Sequence, residues 1–283
     1  MIKKKAYAKI NLFLNMLEKR KDGYHNLEMV NAKIDLFDDI QLKKCQVSSG
    51  IIIKSNDLFL SNQDNVVLAC ARHMQEKYHI DYGIEITIDK RIPYGAGLGG
   101  NSSDAAAVIH GINELAELSL TLEEMQAIGE MFGADIPYCL IDDVAFVTKT
   151  GEVVKPIHHQ LKGKEVLVIH PKKHIMTKDV FNYADTKGVE TKDVSVLLKA
   201  IEENALEMIQ KAMFNSLEAI VMDLDEEMRE FKQEIVDQIG DLGLVMTGSG
   251  STFIQLILTK NERVKTFITE NKDKFLVNRY KIV

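Results

Sequence analysis

The sequence predicts an α+β protein of two units, and three observations carry that expectation. Short runs alternate apolar and polar residues in the first half; a glycine-rich stretch at 92–107 opens an alanine-rich helix; near residue 152 the pattern changes to helices alternating with hairpin-like strands. At 283 residues the chain is long enough for one large or two ordinary domains with a full core.

From residue 6 the chain alternates, with Ala6, Ala8, Ile10, Leu12 and Leu14 on one face and Tyr7, Lys9, Asn11 and Phe13 on the other. Period two over nine residues is a strand, and it sends Lys9 and Asn11 out from the same sheet face. An amine and a carboxamide there suit a phosphate or a hydroxyl, although an exposed strand with its polar residues in water would look the same. Asp22-Gly23 marks a turn between two strand-like runs, and Tyr24-His25 follows at once. That pair is either a surface loop or an aromatic and an imidazole set to read a base. Residues 27–42 read as one or two strands and 51–60 as another. Asp64-Asn65-Val66-Val67 opens a helix to about residue 78, with Val67, Cys70 or Ala71, and Met74 inward. Residues 83–88 alternate again and deliver the chain into the glycine stretch. Alternation rather than continuous apolar runs predicts an antiparallel sheet.

The stretch Ile92-Pro93-Tyr94-Gly95-Ala96-Gly97-Leu98-Gly99-Gly100-Asn101-Ser102-Ser103 holds four glycines in six residues. Such a loop comes close to a ligand and exposes its amides. The helix expected over 101–118, with Val108, Ile112 and Leu115 on one face, adds its N-terminal dipole, so loop and helix together make a phosphate cradle. Ser102 and Ser103 can cap that helix or offer hydroxyls to a phosphate or a metal ion. A Walker loop is excluded, because no Gly-Lys-Ser/Thr enters the helix. Gly95, Gly97 and Gly100 spell a dinucleotide fingerprint, but Thr121 and Glu124 box the start of a second helix where a strand is required. At Gly133-Ala134-Asp135-Ile136-Pro137, Asp135 is either an N-cap before an early proline or a carboxylate poised to accept a hydroxyl proton.

In the second unit, residues 165–170 read as a strand, with helices over about 194–213, 216–221 and 225–238 after it. Then come strand, glycine loop (Thr247-Gly248-Ser249-Gly250-Ser251) and strand over 242–257, a helix over about 261–271 and a strand over 275–283, an order that suggests a ferredoxin-like unit. A net charge of −7 argues against nucleic acid as the main partner, and no targeting or membrane-spanning segment is visible. Three cysteines without metal spacing predict reduced thiols in a cytoplasm.

With these residues assembled, the sequence resembles the GHMP kinase superfamily. Its carrying motifs are Ala8-Lys9-Ile10-Asn11-Leu12, Asp22-Gly23-Tyr24-His25, the loop from Pro93 to Ala107, Gly133 to Pro137, Thr177 to Phe181, and Thr247 to Gly250, in the family's order. The first two point to the branch that acts on a cytidyl diphosphate of methylerythritol in non-mevalonate isoprenoid synthesis. The resemblance implies an N-terminal ribosomal-protein-S5-like, ATP-binding domain over 1–152 and a ferredoxin-like C-terminal domain over 153–283. It implies Mg²⁺-ATP on Pro93, Gly95, Ala96, Gly97, Leu98, Gly99, Gly100, Asn101, Ser102 and Ser103, with adenine near Asn65 and Val66; the Mg²⁺ ligand is not identified. Asn11, Tyr24, His25, Thr177, Phe181, Thr247, Gly248 and Ser249 would bind the small-molecule substrate. Asp135 would take the 2-hydroxyl proton while Lys9 steers it and stabilises the moving phosphoryl. A cytoplasmic monomer or homodimer is expected. Asn101 and Asp142-Asp143 stand where the family usually carries small residues. The alternatives are therefore a kinase for another small alcohol, or a nucleotide-binding homologue with weak or no activity.

Overall fold

A computed structural model describes residues 1–46, 50–57, 65–258 and 262–283. Its first sheet is organised on two long antiparallel strands, β1 (Ile2–Lys19) and β2 (His25–Cys45), joined by the Asp22-Gly23 turn. β1 is twice the expected length and is buried on both faces over most of its second half, which rules out the exposed-strand alternative for Lys9 and Asn11. Its register with β2 shifts between Tyr7 and Ala8 and again between Asn11 and Phe13. These bulges bracket Lys9 and Asn11 and re-aim the side chains there.

The sheet continues with β3 (Ile51–Ser55) and, after α1 (Val66–Lys77), with β4 (Gly83–Asp89). Asn65 caps α1 by accepting the N–H of Leu68 at 2.7 Å; Asp64, also expected there, lies outside the described residues, as do 58–60. The sheet order is β3-β4-β2-β1, but β3 runs parallel to β4, so the sheet is mixed rather than wholly antiparallel. The helix α1 supplies the crossover that a parallel pair needs. After the glycine loop, α2 (Gly100–Leu115) packs across β1 and β2, and is buried nearly all round rather than on one stripe. α3 (Leu122–Glu130) starts with the expected box between Thr121 and Glu124, and the short α4 (Ile136–Cys139) follows.

The hairpin of β5 (Ala145–Lys149) and β6 (Val153–Pro156) lies against the first half of β2. A division at 152/153 would cut this hairpin, so the two sheets part after Pro156.

The second sheet is antiparallel, in the order β11-β7-β10-β9, from β7 (Glu165–His170), β9 (Leu244–Met246), β10 (Phe253–Ile257) and β11 (Leu276–Lys281). That is the ferredoxin-like order. Its helices include α5 (Thr177–Lys187), which the sequence pattern had not revealed as a helix. The expected helix over 194–213 is two, α6 (Val194–Glu202) and α7 (Leu206–Ala212), broken where Asn204 takes φ +51°. α8 (Ser216–Leu224), α9 (Glu226–Ile239) and α10 (Glu262–Asn271) complete the unit. Between α7 and α8 a two-residue strand, β8 (Phe214–Asn215), pairs in parallel with Phe13 and Leu14 of β1, fastening the second unit to the first.

Candidate active site

The glycine loop is held from below. The Asp38 carboxylate accepts the backbone N–H of Arg91 and of Ile92 (2.8 Å), and it also accepts the ammonium of Lys90 at 2.6 Å. Lys90 reaches Asp104, the fifth residue of α2, at 2.8 Å. Burial pushes the Asp104 carboxyl up to about 8 against the pull of Lys90. This buried triad went unnoticed in the sequence, since its members are scattered over 66 positions. It ties strand β2, the loop and α2 into one body.

Two glycines in the loop are required by space as well as by φ. Gly97 (φ +75°) lies so close to the second unit that a Cβ would sit 2.3 Å from the Thr247 carbonyl oxygen. Gly99 (φ +65°) would put a Cβ 2.6 Å from Cγ of Lys9. Gly99 is also the N-cap of α2 and provides no side-chain cap, so neither serine closes the helix end. The Ser103 hydroxyl instead donates to the Tyr7 carbonyl at 2.7 Å and is buried; Ser102 lines the cavity below. Ala96 and Leu98 turn their side chains into the core, leaving only backbone to a ligand.

A cavity of about 640 Å³ opens in front of the loop. It brings together Lys9, Tyr24, His25, Gly95, Gly97, Gly99, Ser102, Asp135, Thr177, Phe181, Gly248 and Ser249 of the expected residues. A smaller space of about 150 Å³ on the outer side of the loop is lined by Lys90, Pro93, Ala96, Leu98, Gly100 and Asn101 as well as loop residues shared with the cavity. Asn101 therefore stands outside the cavity that holds Lys9 and Asp135. Asn65 and Val66 line neither space.

At the cavity floor Lys9 Nζ lies 3.3 Å from Asp135 Oδ2. Asp135 makes no capping hydrogen bond although it precedes α4, so its carboxylate is free for the cavity and the capping alternative is set aside. Lys9 is buried and donates to Asn11 Oδ1 at 3.2 Å. Asn11 and Thr247, expected to touch substrate, are both fully buried and outside the cavity lining. The β1 bulges turn Asn11 under the C-terminal glycine loop, where its Oδ1 accepts from the Thr247 hydroxyl (3.2 Å) and the Gly248 N–H (2.8 Å). These residues support the site from beneath.

The far wall carries aromatic rings. The centroids of His25 and Phe181 are 5.5 Å apart with planes tilted by 36°, and Tyr24 is two-thirds exposed at the turn tip. Thr177 and Ser249 hydroxyls meet at 2.7 Å. Lys19, His174, Lys178 and Asp185 also line the cavity and were missed by sequence reasoning. The position of Asp185, one helical turn after Phe181, was the available signal.

The acidic pair Asp142-Asp143 faces elsewhere. Asp142 pairs with Lys33 at 2.7 Å and Asp143 meets His159 at 2.7 Å, and neither lines the cavity. Among the described residues no cluster of three or more His, Cys, Asp or Glu side chains could hold a metal ion, and no helix is long and apolar enough to cross a membrane.

Comparisons with known proteins match residues 65–151 to the GHMP kinases N terminal domain and residues 197–274 to the GHMP kinases C terminal domain. A curated 4-diphosphocytidyl-2-C-methyl-D-erythritol kinase from Alkaliphilus oremlandii is 36% identical over 93% of this chain and 89% of its own. One of the same name from Clostridium tetani is 37% identical over 89% of each. The crystal structure of a 4-(cytidine 5'-diphospho)-2C-methyl-D-erythritol kinase superposes with a TM-score of 0.82 at 26% identity, covering 99% of both chains. By its two matched domains, its relatives and its cleft, this chain belongs to the GHMP kinases, in the 4-diphosphocytidyl-2-C-methyl-D-erythritol kinase family.

Proposed function

We propose that this enzyme transfers the γ-phosphoryl of ATP to the 2-hydroxyl of 4-diphosphocytidyl-2-C-methyl-D-erythritol, a step of isoprenoid precursor synthesis. The observation that carries the reading is the Lys9–Asp135 contact at 3.3 Å, set between the glycine loop on one side and the His25–Phe181 wall on the other. A phosphoryl donor and a base-bearing acceptor placed on these two walls would meet over that pair.

The glycine loop fits ATP. Its backbone approaches at Gly97 and Gly99 where a side chain has no room, and the uncapped N-terminus of α2 favours negative charge. Gly95, Gly100 and Ser102 would meet the phosphates, Pro93, Ala96, Leu98 and Asn101 would border them, and Asn65 and Val66 would lie towards the adenine. Mg²⁺ bound to ATP would neutralise phosphate charge, and the Ser102 hydroxyl in the cavity lining would be a ligand for it, since that of Ser103 is bonded to Tyr7.

Asp135 would accept the proton of the attacking hydroxyl, and Lys9, held by Asn11, would orient Asp135 and balance charge on the phosphoryl in transit. Tyr24 and Phe181 would stack the cytosine beside His25, while Thr177, Gly248 and Ser249 would contact the diphosphate. Phosphoryl transfer asks mainly for such positioning and charge balance. A cytoplasmic monomer or homodimer completes the proposal, and light scattering on the purified enzyme distinguishes the two.

The test is ADP release with Mg²⁺-ATP and, in turn, the cytidyl compound, homoserine, mevalonate or no acceptor. Stimulation by the cytidyl compound alone is expected. Stimulation by another alcohol would transfer the reading to another GHMP kinase activity, and ATP binding without turnover on any acceptor would indicate a homologue that has lost the reaction.

A further inference from the structure

His25 is a buried imidazole in the wall of the cavity, and one of its two nitrogens is already engaged. Nε2 lies 2.7 Å from Oδ1 of Asp185 on α5, and the other carboxylate oxygen of Asp185 is bound by the Lys19 ammonium from the end of β1. The Lys19 hydrogen bond, with that of His25, holds the Asp185 carboxyl below its ordinary range although burial acts the other way. An ionised carboxylate only accepts, so the proton of a neutral His25 must sit on Nε2. Nδ1 is then a bare acceptor, and it makes no hydrogen bond to any described residue.

A bare acceptor distinguishes two pyrimidines that share shape and stacking. Cytosine presents an exocyclic amino group, a donor; uracil presents a carbonyl oxygen at the same place, an acceptor. Nδ1 with its lone pair attracts the first and repels the second, whereas the opposite tautomer would reverse the preference.

We propose that Asp185 is a positioning residue that makes the cavity select cytosine over uracil, by holding the His25 ring with Nε2 protonated and Nδ1 open. The inference rests on reading the His25–Phe181 wall as the base site. Asp185 itself need not touch the substrate. Lys19 serves the same end by fixing the Asp185 carboxylate.

The experiment compares binding of CDP and UDP to the purified chain and to Asp185→Ala, with ¹⁵N spectra of the His25 ring in the unliganded protein. The wild type is expected to prefer CDP by about tenfold or more, the scale of one well-placed hydrogen bond, and to show the Nε2–H tautomer. Asp185→Ala is expected to bring the CDP-to-UDP ratio towards one and to mix the tautomers, while ATP affinity stays put. In a His25→Phe background, which has lost the reading nitrogen, adding Asp185→Ala should not change the ratio further.

A ratio and a spectrum untouched by Asp185→Ala would overturn the proposal. So would a loss that adds in full to that of His25→Phe, since Asp185 would then act on its own. Absence of CDP binding to the wild type would instead overturn the base-site reading on which the proposal stands.

Discussion

Replacing Asn11 by alanine tests whether the floor of the site is as closely built as its distances indicate. The Asn11 carboxamide receives the Gly248 N–H at 2.8 Å, the Thr247 hydroxyl at 3.2 Å and the Lys9 ammonium at 3.2 Å, and it donates to Asn31 Oδ1 at 2.7 Å. In Asn11→Ala the Thr247 hydroxyl can turn to the Gly97 carbonyl, 3.4 Å away, and Lys9 retains Asp135. The Gly248 N–H and the Asn31 oxygen are left buried without their partners. Two such groups at about 1–3 kcal/mol each give a loss of about 2–6 kcal/mol, to be set against a total stability of about 5–15 kcal/mol. The variant should fold, with a urea midpoint well below that of the parent. Because Lys9 also loses an anchor, kcat should fall by more than the affinity for ATP. A stability loss under about 1 kcal/mol with unchanged kcat would refute the argument that Asn11 holds the floor together.

Three further outcomes are expected. Asp135→Asn should lower kcat by at least about a hundredfold, as loss of a general base does, and leave ATP binding intact in equilibrium titration; retained turnover would remove Asp135 from its role. Phe181→Ala should weaken binding of the cytidyl substrate by about 1–3 kcal/mol and that of ATP hardly at all, whereas equal losses would argue against a stacking platform. Burial lowers the His170 imidazole from 6.5 to about 4, so between these values the unfolded chain binds the extra proton and folding stability rises with pH. Its contribution is complete above pH 6.5 and fades towards pH 4, on the order of 3 kcal/mol, and His170→Gln should flatten that part of the urea-midpoint profile.

Much of the fold was legible because it is written in local patterns. Alternation located β1, the Asp22-Gly23 dipeptide its turn, and the box of Thr121 and Glu124 the start of α3. The parallel pairing of β3 was not legible, because alternation reports which face is buried but not which neighbour a strand takes. Helix α5 escaped for a related reason, since only Val180 and Ala184 of its eleven residues are fully buried and so little apolar periodicity is present.

At the site, Lys9, Asp135 and the glycine loop were visible as chemistry at marked positions. Asn11 and Thr247 were visible as residues but not as supports, because neither the β1 bulges that turn Asn11 inward nor the loop that buries Thr247 after β9 leaves a trace in composition. Asp185 and the Asp38–Lys90–Asp104 triad depend on partners 14 to 160 positions away, a distance at which single-sequence patterns carry no information.

The pairing of β8 with β1, together with the Asn11 bonds to the Thr247 loop, bears on how a substrate gets in. Enzymes with a cleft between two units often open by swinging the units about a linker, a hinge motion that absorbs rotation in a few residues. Here a strand of the first unit runs beneath the cleft and is hydrogen-bonded to the second unit along the way, at Phe13, Leu14 and Asn11. A swing large enough to widen the mouth would tear those bonds. The elements at the rim, namely the exposed Tyr24 turn, α5, and the Tyr94–His174 ring contact where the glycine loop meets the second unit, can shift without breaking them. Such small movements would leave Lys9 and Asp135 in place, so the proposed catalytic pair would not have to be reassembled for each substrate.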